Sequence, residues 1–204
     1  MKYSEYRYLI LSDLYRITGD IKILSFLRSI IFGLYKYNFW MRTCFYTRSN
    51  VILKYTIHPI AKLILRHIVY KLGIQIPSST KIGSGFHIGH FGGIVVNAES
   101  VIGKNCNISH GVTIGQGNRG KNKGCSILGN NIYIGPGAKI IGAVKIGNNV
   151  AIGANCVVTK DIPDNSVVVG IPGKVISQNG SVGYINKTDY DNKIGYLQKA
   201  VETS

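Results

Sequence analysis

An aliphatic residue recurs every six positions through the second half of the chain, usually followed by glycine or a small polar residue. The series runs through Ile82, Ile88 and Ile94, resumes at Ile102, Ile108 and Ile114, and continues through Leu128, Ile134, Ile140, Ile146, Ile152 and Val158. A period of six predicts one short strand and one corner per repeat, with three repeats closing a triangular coil whose aliphatic residues fill the interior. The in-phase positions predict about four coils, stacked at the roughly 4.8 Å spacing of neighbouring strands. Glycine and asparagine suit the corners, where the backbone needs positive φ. Two interruptions are expected: two extra residues near Val96–Val101, and a polar loop from Gly115 to Ser126.

The first half carries a different pattern. The stretches "SEYRYLILSDLYR", "LSFLRSIIFGLYKY" and "HPIAKLILRHIVYKL" read as helices, and Pro59 suits a first helical turn. In the last stretch, Ile60, Leu63, Ile64, His67 and Ile68 are expected on one face, with Lys62 and Arg66 on another. The expected division is a basic aromatic helical domain over 1–75, a β-helix over 76–177 and a tail over 178–204.

Composition sharpens this picture in two ways. The net charge is +15, from 24 basic and 9 acidic residues among 204. Residues 1–80 hold twelve Lys/Arg against three Asp/Glu, a net +9, which calls for an anionic partner. Peripheral contact with anionic membrane headgroups is the expectation, and nucleic acid is not. Arg28, Lys36, Lys62 and Arg66 break up the apolar runs, so no bilayer-spanning helix is expected, nor is a signal peptide. Cys44, Cys106, Cys125 and Cys156 show no CxxC pair, which suggests reduced thiols and a cytoplasmic protein.

The segments "HIGHFGGIVV", "GVTIG", "IGPGAKIIG" and "IGANCVVTKDIPDNSVVVGIPGKVI", with their phasing, resemble hexapeptide-repeat acyltransferases over residues 75–177. The nearest branch looks like serine acetyltransferases and the sugar O-acetyltransferases of capsule and exopolysaccharide clusters. That resemblance implies a left-handed parallel β-helix, a mainly β fold with an N-terminal helical domain. It also implies acetyl-CoA as acetyl donor, a homotrimer with each cofactor groove between two subunits, and His90 as general base. A neutral imidazole can take the proton of a hydroxyl as it attacks a thioester, typically worth about 10²–10⁴ in rate. The spacing adds an independent point. His90 and His110 are each the third residue of their repeats and should stack in adjacent coils, followed in the same column by Pro136 and Ala154. The histidine end suits the chemistry. The small-residue end suits a pantetheine arm, with Gly135, Gly153 and Lys160 as further cofactor candidates. Proline at position 136 departs from the family's usual alanine and removes a backbone donor. No paired HxxxxH spacing exists, so no metal is expected.

The departures from serine acetyltransferases guide the acceptor expectation. Their histidine-orienting aspartate, serine-binding aspartate and carboxylate-gripping arginine–histidine pair match Gln75, Gly89, Gly124 and Cys125 here, none of them charged. A zwitterion would lose its counter-charges. The expectation is therefore O-acetylation of a saccharide of a capsule, exopolysaccharide or O-antigen unit. His110, Phe91, Gln116 and Arg119 are its expected binding residues. The alternatives are a serine acetyltransferase with altered recognition and a non-catalytic scaffold that binds membrane.

Overall fold

The structure, a computed structural model, describes residues 1–195. Of the expected tail, residues 196–204 lie outside the described residues. Helices α1 (Tyr3–Thr18), α2 (Ile23–Ile31), α3 (Tyr35–Arg48), α4 (Val51–Tyr55) and α5 (Ile57–Leu72) precede a left-handed triangular β-helix. Its first face is built from β1 (Ile74–Gln75), β4 (Ile94–Val96), β7 (Thr113–Gly115), β10 (Lys139–Ile141) and β13 (Val157–Val158). The second has β2 (Lys81–Ile82), β5 (Val101–Ile102), β8 (Ile127–Leu128) and β11 (Lys145–Ile146). The third has β3 (His87–Ile88), β6 (Asn107–Ile108), β9 (Tyr133–Ile134), β12 (Ala151–Ile152) and β14 (Val167–Val169), with β15 (Lys174–Ser177) added antiparallel.

The hexapeptide residues fill the prism. Ile88, Ile108, Ile134, Ile152 and Val168 form one buried column, and the other faces repeat the arrangement. Each buried aliphatic stabilises the coil by about 1.5–3 kcal/mol relative to exposure. Asparagines hold one corner. Asn105, Asn131, Asn149 and Asn165 sit at φ of 56°, 58°, 55° and 57°, in the left-handed region that asparagine tolerates. Their amides form a ladder with Nδ2···Oδ1 distances of 2.9, 2.9 and 3.0 Å.

The register corrects the phasing in one place. Ile94 pairs with Ile74, and Val96 is the residue that pairs with Ile114. Because His87 pairs with Asn107 and Val95 with Thr113, the two residues in excess of three hexapeptides lie just after His90, in Phe91–Gly92–Gly93. They are not at Val96–Val101. Ile94 and Val96 are both buried, since alternate strand residues point the same way, and this allowed either to pass as the rung.

The helical region also differs from expectation. The second stretch breaks after Ile31, and a Cβ at Gly33 would lie 2.8 Å from the Ser29 carbonyl oxygen. On α5 the buried stripe is Ala61, Leu65 and Ile68, while Ile60, Leu63 and His67 are exposed. Helix α3 lies at the centre. Its Arg42 donates to the buried Asp13 carboxylate at 3.0 Å and to the Ile82 and Gly83 carbonyls at 2.6 Å each. Asp13 also accepts from the Phe86 amide at 2.8 Å. The Tyr37 hydroxyl donates to the Ile76 carbonyl and accepts from its amide. These bonds fix the helices to the first coil. From the segment after β15, the Tyr190 hydroxyl donates to Asn105 Oδ1 at 2.8 Å, and Tyr184 stacks on Tyr133 at 4.4 Å.

Candidate active site

Two exposed histidines stand at the corner between the third and first faces. Ile88 pairs with Ile108, so His90 lies directly over His110 one coil further on. Their rings meet edge to face, with centroids 5.8 Å apart and planes at 81°. The register continues through Ile134 and Ile152, which puts Pro136 and Ala154 in the same column. The sequence expectation of a histidine end and a small-residue end is thus a single ridge on the molecule.

The two-residue excess widens this corner beside His90. Gly92 and Gly93 take φ of 104° and 65°, a path open to glycine, and Phe91 is left 60 % exposed at the bulge. Sequence reasoning missed this because it placed the excess elsewhere. The signal was present as the glycine pair.

Gly135 and Gly153 have a structural reason that needs no ligand. A Cβ at Gly135 would lie 2.9 Å from the Ala154 amide nitrogen, and one at Gly153 2.8 Å from Val169 Cγ1. Pro136 lacks a donor but its carbonyl accepts from the Asn155 amide at 2.8 Å.

The remaining candidates lie elsewhere. Gln116 and Arg119 belong to a hairpin closed by paired Gly117 and Gly124, which leaves the opposite corner, between the first and second faces. Lys160 follows β13 at that same corner. Strand β7 separates the two corners, an extended path of roughly 15–20 Å. One chain therefore does not bring Gln116, Arg119 or Lys160 to His90. Asn122 Nδ2 donates to the Thr159 carbonyl at 2.6 Å and pins the hairpin along its corner. Glu99 also sits there, close enough to help push the Cys125 thiol up after burial, the larger cause. It is the single acidic residue between Asp20 and Asp161.

His87 was left without a role by the sequence. It is half-buried on the third face, and its buried Nδ1 has no hydrogen-bond partner among the described residues. Burial, then the nearby Arg16, Lys187 and His90, push its imidazole down to about 4, so it stays neutral beside His90. Arg16 crosses from α1 to donate to the Gly85 carbonyl at 3.2 Å and to Asn107 Oδ1. Of the uncharged positions, Gln75 is exposed on the first face, and Gly89 opens to space, its nearest atom to a built Cβ being the Ile108 oxygen at 3.8 Å. Cys125 donates its thiol to Asn97 Oδ1 at 3.3 Å.

The profile of bacterial transferase hexapeptide proteins (six repeats) matches residues 125–160. The serine acetyltransferase of Helicobacter pylori is 37 % identical over 134 residues, spanning 66 % of this chain and 78 % of that protein. The chain belongs to the serine acetyltransferase family. The Synechococcus elongatus serine acetyltransferase is 39 % identical over 123 residues, and that of Staphylococcus aureus 43 % over 108. In these two the match spans about half of the relative's length, 50 % and 51 %. Among solved structures, Neisseria gonorrhoeae serine acetyltransferase in complex with serine is similar at a TM-score of 0.68 and 25 % identity, covering 86 % of this chain and 70 % of that one. A Brucella abortus serine acetyltransferase in complex with coenzyme A shares the fold at 0.69 and 24 %, covering 87 % and 70 %.

These relatives overturn the saccharide acceptor and with it the capsule, exopolysaccharide and O-antigen setting. They carry a serine acetyltransferase name across the β-helix, and the serine alternative fits them better. The physical flaw lay in treating Gly89, Gly124 and Cys125 as the places where acceptor charge must be met. Counter-charge can be supplied from other positions or from a neighbouring subunit, so uncharged side chains at three matched positions do not exclude a zwitterion.

Proposed function

We propose that the chain transfers the acetyl group of acetyl-CoA to the hydroxyl of L-serine. The reading rests on the 37 % identity to the H. pylori serine acetyltransferase across 78 % of that protein. The paired exposed histidines supply chemistry that fits it. In this reading His90 accepts the hydroxyl proton as the serine oxygen attacks the thioester carbonyl carbon. The tetrahedral adduct then collapses, breaking the carbon–sulfur bond, and the imidazolium returns its proton to the departing thiolate. His110, in edge contact with His90, steadies the ring. The widened corner after His90 gives the acceptor room. Pro136 and Ala154, further along the ridge, would leave space for the pantetheine arm.

A homotrimer completes the site in this proposal. Closed three-fold packing would set the His90 corner of one subunit against the hairpin corner of the next, giving every copy the same environment. Arg119 and Lys160 would then reach the acceptor carboxylate and the nucleotide phosphates, and Glu99 the serine ammonium. The proposed setting is the cytoplasm, with the basic helical region able to reach an anionic membrane face.

The test follows thiol release from acetyl-CoA with L-serine as acceptor. Release that requires L-serine and disappears in His90→Ala is expected. Absence of serine-dependent release from the folded trimer would overturn the reading. Glu99→Gln should raise the KM for serine by about tenfold or more with little change in kcat.

A further inference from the structure

Helix α2 wears its apolar side outward. Leu24, Leu27 and Ile31 fall on one stripe, at spacings of three and four, and all are exposed. Ile23 and Phe32 extend it, at 72 % and 82 % exposure. The helix is held from behind by Phe26, whose ring meets Phe39 at 5.5 Å and Tyr35 at 6.0 Å. Burial of the outward stripe therefore contributes little to the fold of this chain. Lys22, Arg28 and Lys36 border it, and Lys36 donates to the Ile31 carbonyl at 2.9 Å.

We propose that this face of α2 docks on an anionic lipid surface. Three observations select that occupant. The stripe is apolar and rimmed by long cationic side chains, which place aliphatic stems in the lipid interface and ammonium or guanidinium ends among the headgroups. Asp20 accepts from the Lys22 amide at 3.1 Å at the start of the helix, and from Ile21 to Ala98 the chain has no further acidic residue, so a second copy pressed against this face would meet mostly like charge, whereas phosphate headgroups meet opposite charge. No helix among the described residues is long and apolar enough to cross a membrane, so the face lies on the surface. This proposal does not depend on which hydroxyl the enzyme acetylates.

The experiment is co-sedimentation of the full chain with vesicles of pure phosphatidylcholine, or of phosphatidylcholine with about a quarter phosphatidylglycerol. Binding to the anionic vesicles at low salt, falling at least about tenfold between about 50 mM and about 500 mM salt, is expected. Leu27→Glu should lower that binding at least about tenfold, as should the paired change Lys22→Glu and Arg28→Glu. Circular dichroism and the melting temperature of each variant show that it is folded. Light scattering follows the oligomer. Equal partition onto neutral and anionic vesicles would overturn the proposal, as would wild-type binding by folded Leu27→Glu. So would a larger assembly that Leu27→Glu breaks up while vesicle binding is absent, which would assign the face to a second copy.

Discussion

His90 occupies a corner with one ring beside it and an unusually long turn after it, and both features bear on its reactivity. Its edge contact with His110 limits ring rotation, and the Phe91–Gly92–Gly93 bulge clears space on the other side. His90→Ala should lower acetyl transfer by at least about 10²-fold, with coenzyme A affinity changed only a few-fold, as thiol release and calorimetry would show. His87 makes a separate prediction about stability. Its proton is bound in the unfolded chain below about pH 6.5 but refused in the folded one until about 4. Stability is therefore complete above the upper value and declines as pH falls through this window, by at most about 3 kcal/mol. Denaturant unfolding at pH 7 and pH 5 measures the loss, and His87→Gln should flatten it. The His90–His110 column was legible because a repeat converts spacing into position. The role of His87 was not, because it comes first from burial in the fold and then from Arg16 and Lys187, which are distant in sequence.

At the scale of elements, the repeat pattern carried the β-helix almost directly: one inward aliphatic per strand fixes the strands, and three strands fix the coil. It failed only where two adjacent inward residues, Ile94 and Val96, both satisfied it. The helices were harder to read. On α5 and α2, apolar residues face both inward and outward, so periodicity located the helices but not their buried sides. What seats the helical region is polar. Burial pushes the Asp13 carboxyl up against the pull of Arg42, and the pair also binds the Phe86 amide and two carbonyls of the first coil. Asp13→Ala leaves the Arg42 guanidinium buried without its partner. It should cost about 3–5 kcal/mol, seen as a lower melting temperature. Replacing both members together should cost less. The Cys106 thiol in the same region is pushed up to about 12 by burial, so it should resist thiol reagents until the protein unfolds.

At the scale of the molecule, candidate acceptor residues lie at two corners of one triangular prism. A sequence reading that treats the hairpin as near His110 in space cannot see this, because Gln116 follows His110 closely in sequence yet stands across a face from it. If three subunits close the site, light scattering should give a mass three times 22.3 kDa. A dilution series in which specific activity falls as trimers dissociate would tie the assembly to catalysis. The segment after β15 adds another whole-molecule consequence. It returns to the first helix, where the Tyr8 hydroxyl donates to Asp191 at 2.5 Å, Tyr15 donates to Asp189 at 3.0 Å and Lys187 donates to the Ile17 carbonyl at 3.0 Å. A stack of coils normally unravels from whichever terminal coil is weakest, each loss exposing the next. Here the described segment after β15 runs back along the third face, bonding Asn131 and Asn105 on its way to α1, so it straps the last coils to the helices that seat the first. Hydrogen exchange should accordingly show the outermost coils protected as well as the middle ones. Asp189→Ala together with Asp191→Ala should convert this uniform protection into a gradient that fades toward the β14 end.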